Sequence, residues 1–122
     1  MKKKLRIKKN KLGNIVKLFQ NRDADNIKEI YISEILHKKK KGWNFHKKST
    51  STILVIEGKI RFSITKDFKK FKRITLDDKK YFFLVIKPKH WFSFEGISKK
   101  NKIINFANIR YDKNETKKKP IE

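Results

Sequence analysis

The chain has 122 residues, with 35 Lys and Arg against 12 Asp and Glu, a formal charge of +23 and no cysteine. That length fits one domain with a modest core. Disulfides, thiolate metal sites and cysteine nucleophiles are excluded, and no apolar run approaches the ~20 residues of a membrane helix.

The apolar residues, ten Phe, three Tyr and two Trp among them, fall in short runs of period two, the spacing of strands. Residues 1–11 are mostly Lys and read as a loose end. A first strand is predicted over 15–19. A second spans 27–35, with Ile30 and Ile32 on one face and Tyr31, Ser33 and Ile35 on the other. The third, 42–46, sets Trp43 and Phe45 opposite Asn44 and His46. Residues 51–56 form a nearly continuous β-branched run, the signature of a strand buried on both faces. Glu57-Gly58 is the turn into 59–65, where Ile60, Phe62 and Ile64 alternate with Arg61, Ser63 and Thr65. Strands at 71–76, 81–86, 91–94 and 102–107 follow, with a turn at 77–80. The segment 113–122 is polar and reads as the second loose end. About nine short strands at roughly ten-residue spacing, with no helical stripe, predict an all-β sandwich or jelly roll.

The positive field suits polyanions, but its make-up argues against selective nucleic-acid recognition. The excess is thirty Lys against five Arg, spread along the whole chain, and Arg is the residue that supplies bidentate readout. Ile and Asn are abundant too, at seventeen and nine. Lys, Ile and Asn share AT-rich codons, so one base bias accounts for all three. No specific nucleic-acid partner and no membrane partner are expected. The basic N-terminus lacks a following apolar segment, so a cytoplasmic location is expected.

Three stretches, KGWNFHKKSTSTILVIEGKIRF, IKPKHWFSFEGI and NFANIRYDKNE, carry a family likeness. They resemble the dTDP-4-dehydrorhamnose 3,5-epimerase-like cupins, above all a polysaccharide-biosynthesis subgroup with the patterns KGWHLHKK, GKI, IPPGxWxGFKG and HDPDE. The related sugar 3,4-ketoisomerases share the barrel. The resemblance runs from about Gly13 to Glu115. It implies a single cupin-type jelly-roll β-barrel over 13–115, between a basic segment 1–12 and a polar tail 116–122. It also implies a homodimer, with Trp43, Phe45 and Tyr31 as candidates for the junction. The implied substrate is a nucleotide-diphosphate 4-keto-6-deoxy sugar. The implied chemistry is proton removal beside the ketone, which needs a base and a donor for the oxyanion.

Carried over residue by residue, the resemblance is broken at several positions. The family's basic His falls on Asn44, and an amide cannot take a proton. His46, two residues on and on the same face, is either a displaced base or a satisfied interior group. The family's Lys before the Gly turn falls on Ser51, and its catalytic Tyr on Asn105. Tyr111 remains as a candidate proton donor. Lys41 stands where a cation would meet diphosphate. Arg61 is either on the cavity side or on a solvated face, and Trp91 either stacks on substrate or packs as a structural aromatic. The expected catalytic residues are therefore His46 and Tyr111, and the expected substrate contacts Lys41, Asn44, Ser51, Arg61, Trp91 and Asn105. No metal and no cofactor are expected, because His37, His90, His46 and Glu57 do not fall at the strand positions of a metal cupin. An inactive sugar-nucleotide-binding cupin and a basic nucleic-acid-binding barrel stand as the alternatives.

Overall fold

The computed structural model describes residues 1–19, 26–110 and 112–120. Twelve strands are present among them: β1 Lys2–Lys4, β2 Ile7–Lys8, β3 Ile15–Val16, β4 Glu29–Glu34, β5 Lys40–His46, β6 Ser51–Glu57, β7 Lys59–Thr65, β8 Phe71–Asp77, β9 Phe82–Ile86, β10 Trp91–Gly96, β11 Lys102–Ala107 and β12 Thr116–Lys118. Two five-stranded sheets have the orders β1-β9-β6-β11-β4 and β12-β5-β10-β7-β8, and β2-β3 form a separate pair. Every named pairing is antiparallel. Consecutive strands alternate between the sheets along much of the chain, and the result is the cupin-type jelly roll.

The core lies between the two sheets. Phe62, Ile53, Ile60, Leu84 and Ile35 have no exposed surface and pack with Val55, Ile64, Leu76, Phe92, Phe94 and Ile103. Each such side chain contributes about 1.5–3 kcal/mol through burial. The alternation of β7 is resolved by this core: Ile60, Phe62 and Ile64 turn inward. β6 is apolar on both faces because a second cluster covers the outside of its sheet. There Leu54, Phe83 and Phe106 lie under Leu5, Val16, Leu18, Phe19 and Ile27 from the N-terminal segment.

The ends expected to be loose are paired. Lys2–Lys4 add an edge to β9, and Thr116–Lys118 add an edge to β5. Short Lys-rich strands suit these positions, since like charges discourage further strand addition at an exposed edge. Their lack of apolar alternation hid them from a pattern based on burial. The first predicted strand is shorter than expected: Ile15–Val16 pair with β2, and Leu18 and Phe19 serve as cover for the sheet.

One buried polar residue ties the loops at one end. Asn101 has no exposed surface. Its Oδ1 accepts from Lys59 N at 3.1 Å and Ser98 N at 3.1 Å, and its Nδ2 donates to Ile35 O at 3.0 Å and Ser98 O at 2.7 Å. The β6–β7 hairpin, the β10–β11 loop and the end of β4 are thereby joined. Gly58 in that hairpin has φ +81°, and a Cβ there would stand 2.5 Å from Asn101 Oδ1.

Candidate active site

Two His side chains are spent on turns. His37 Nδ1 lies 2.9 Å from Ser98 O, and His90 Nδ1 lies 3.0 Å from Pro88 O. His46 is different. It ends β5 on the inward face, its ring 5.6 Å from that of core Phe92, and it lines a cavity of about 290 Å³ with Tyr31, Ser51, Asn105, Arg110 and Glu115. β4, β5, β6, β11 and the approach to β12 supply these walls.

The imidazole is held from one side. Its Nδ1 lies 3.1 Å from Glu115 Oε2 and 3.2 Å from Thr116 Oγ1. The other carboxylate oxygen accepts from Lys48 N and Ser49 N, both at 2.7 Å. The side chains are 20% and 10% exposed for His46 and Glu115. Burial pushes the Glu115 carboxyl up, but the Lys48 and Ser49 amides, followed by His46, outweigh it and hold the group below its ordinary value of 4.5. An ionised carboxylate only accepts hydrogen bonds. The neutral imidazole therefore carries its proton on Nδ1, leaving the Nε2 lone pair free to take another.

A second pair lines the same cavity from the opposite sheet. Tyr31 and Asn105 are register partners on β4 and β11, and Asn105 Nδ2 donates to Tyr31 Oη at 2.8 Å. Burial raises the Tyr31 pKa above 10.0; the Asn105 hydrogen bond lowers it in part, and the Glu29 charge adds to the rise. The phenol thus stays protonated at neutral pH, and its O–H is available to donate. Asn105 is 3% exposed, and its Oδ1 has no hydrogen-bond partner among the described residues. An orphaned buried acceptor costs about 1–3 kcal/mol, so a site that retains one is set up to receive a donor from a ligand.

Of the residues expected from sequence, His46, Ser51 and Asn105 line the cavity together. Asn44 shares the inward face of β5 with His46, opposite Phe92. Lys41 lies across the barrel and donates to Ser33 Oγ on β4 at 2.9 Å. Tyr111 lies outside the described residues. Two placements need correction. Arg61 is not on the cavity side, because Ile60 and Phe62 fill the core and send the alternate face outward; its guanidinium lies 3.6 Å from Glu95. Trp91 is likewise on the outer face, its ring 5.0 Å from Phe45 and 5.4 Å from Phe68. Of the aromatics expected at a junction, Trp43 packs on Phe68 and Phe71, Phe45 packs on Trp91, and Tyr31, which is 42% exposed, accepts from Asn105. Glu115, Tyr31 and Arg110 were missed. Tyr31 had a legible signal, since it alternates with Ser33 and the buried Ile35. Glu115 closes the third family-like stretch but has no local signal of its own.

Comparison with known proteins agrees with this fold. Residues 2–119 match the model of a family described as FdtA: WxcM-like, C-terminal. No curated protein matches the chain. A dTDP sugar isomerase from Desulfovibrio desulfuricans G20 superposes with a TM-score of 0.85 at 22% identity, covering 98% of this chain and 83% of its own. A histidine-to-asparagine mutant of a 3,4-ketoisomerase from Thermoanaerobacterium thermosaccharolyticum, in complex with TDP-4-keto-6-deoxyglucose, gives 0.83 at 21%, covering 95% and 84%. An epimerase from Mycobacterium tuberculosis gives 0.82 at 8%, covering 96% and 66%. At these identities the solved structures establish the shared fold.

Proposed function

The chain belongs to the family described as FdtA: WxcM-like, C-terminal, and on that premise we propose that this dTDP-sugar isomerase/epimerase-like cupin is an active isomerase of a dTDP-4-keto-6-deoxy sugar in surface-polysaccharide synthesis. The observation that carries the reading is the His46–Glu115 pair in the cavity, with Nδ1 held at 3.1 Å and no partner on Nε2 among the described residues. The complex of a similar ketoisomerase with TDP-4-keto-6-deoxyglucose supports the substrate class.

The proposed first step breaks a C–H bond beside the ketone. The proton passes to His46 Nε2, and the electron pair moves into an enolate whose charge builds on the former carbonyl oxygen. Glu115 stabilises the resulting imidazolium through Nδ1–H. A protonated Tyr31 donates to the enolate oxygen, and Asn105 Oδ1 accepts from a sugar hydroxyl. Arg110, on the cavity rim, suits the diphosphate through charge-assisted contacts. Delivery of a proton to the same carbon from the opposite face, by a second donor, gives an epimer; protonation of the former carbonyl carbon, with the neighbouring hydroxyl giving up its proton as it becomes the new carbonyl, gives a 3,4-ketoisomer. Ser51, Asn44 and Lys41 are proposed as further sugar contacts, and Tyr111 as a second proton donor.

Solvent deuterium exchange into dTDP-4-keto-6-deoxyglucose tests the reading, since it reports proton removal without net product. Wild type is expected to exchange, and His46→Gln to lose about 10²-fold or more, the usual scale of general-base catalysis. No exchange by the wild type on this sugar would favour a binding protein without chemistry. Exchange that survives His46→Gln would show that the base lies elsewhere.

A further inference from the structure

The outer face of the second sheet carries a groove remote from the His46 cavity, and the strand register explains its shape. Outward side chains across β8, β7, β10 and β5 fall in rows. Phe71, Thr65, Trp91 and Phe45 make one. Thr75, Arg61, Glu95 and Lys40 make another. Between them runs Arg73, Ser63 and Ser93, which ends at Gly42, where the β5–β10 register shifts between Phe92 and Phe94. No side chain can fill that end: a Cβ on Gly42 would stand 2.7 Å from Phe92 O. A short row between an aromatic row and a charged row leaves a groove of about 260 Å³, with Trp43 and Phe71 as walls and Ser63 and Ser93 as floor.

Apart from Arg61 and Glu95, its polar groups have no hydrogen-bond or ion-pair partner among the described residues. Ser93 is 7% exposed. Among the described residues neither its hydroxyl nor that of Ser63 hydrogen-bonds to the protein. Arg73 has no carboxylate partner there and lies 5.2 Å from the Phe71 ring. Lys40 is also free of acidic partners among the described residues, and only Arg61 is engaged, by Glu95 at 3.6 Å. Three cations thus face one carboxylate beside two aromatic rings. Phosphate is the anion that Arg forks match best, and a planar base suits the aromatic walls.

We propose that this groove is a second ligand site, for a nucleoside monophosphate. The phosphate lies among Arg73, Arg61 and Lys40, the base lies against Trp43 and Phe71, and Ser63 and Ser93 meet ribose hydroxyls. The site is independent of the reaction proposed above. Its test is a titration of the full chain with AMP, followed by amide NMR. The Ser63 and Ser93 amides and the Trp43 indole N–H are expected to shift saturably. Arg73→Gln, an exposed edge-strand change, is expected to weaken that binding about tenfold or more while leaving the spectrum of the His46 cavity unchanged. Inorganic phosphate is expected to bind the same residues about tenfold more weakly. The proposal is overturned if those signals do not saturate, if Arg73→Gln binds AMP as well as wild type, or if phosphate alone matches AMP. A single-stranded oligonucleotide that binds these residues far more tightly than AMP at physiological salt would also overturn it, in favour of a nucleic-acid surface.

Discussion

Glu115→Gln isolates the role of the carboxylate with almost no change of shape. The amide oxygen of Gln can still accept from Lys48 N and Ser49 N, the two 2.7 Å contacts that seat the side chain. Its NH₂ then faces His46 Nδ1 in place of the carboxylate oxygen now 3.1 Å away. A donor cannot meet a donor, so the neutral imidazole must turn its Nδ1 lone pair to the amide and carry its proton on Nε2. The atom proposed to take the substrate proton is then already occupied. Deuterium exchange is expected to fall about 10²-fold or more, with the fold retained. The lost charge-assisted contacts are worth about 1 kcal/mol, a few degrees in Tm. The pH dependence fixes the sign. Folding holds the Glu115 carboxyl below its ordinary 4.5, so its stabilisation is complete above that value and is lost as pH falls through the lower folded value. The Tm gap between wild type and Glu115→Gln should therefore be full at pH 7 and close in acid. Full exchange by a folded Glu115→Gln variant would refute the tautomer argument, and a gap that widens in acid would refute the electrostatic one.

Tyr31→Phe removes the partner of Asn105 Nδ2; exchange should drop about tenfold to a hundredfold, and the wild-type pH–rate profile should show no loss from phenol ionisation below pH 10, because that pKa is raised. Asn101→Ala strips partners from Lys59 N, Ile35 O and both Ser98 backbone groups; chemical denaturation should record a loss of about 3 kcal/mol or more, and a loss below 1 kcal/mol would mean that water replaces the amide. A homodimer is proposed through the outward face of β4, where Ile30 and Ile32 are 56% and 61% exposed; light scattering should find a dimer at micromolar concentration and a monomer for Ile32→Glu, and a wild-type monomer would count against it.

Period-two alternation determined several of the longer strands of this protein, because burial on one face of a pleated strand is written locally in every second residue. It placed 59–65 and 102–107 at their observed bounds, and it put Asn44 and His46 on one face. Alternation does not say which face is inside. Arg61 went to the outer surface only because Ile60 and Phe62 meet the opposite sheet, and that choice belongs to the packed pair of sheets. The edge strands at Lys2–Lys4 and Thr116–Lys118 exist through pairing alone, with no apolar pattern to announce them. The site is of the same kind. His46 and Glu115 are 69 residues apart in the chain, and Tyr31 and Asn105 are 74 apart. A carboxylate orients an imidazole, and a phenol meets an amide, only within about 3 Å, a distance set by strand register and by the return of the C-terminal edge to β5.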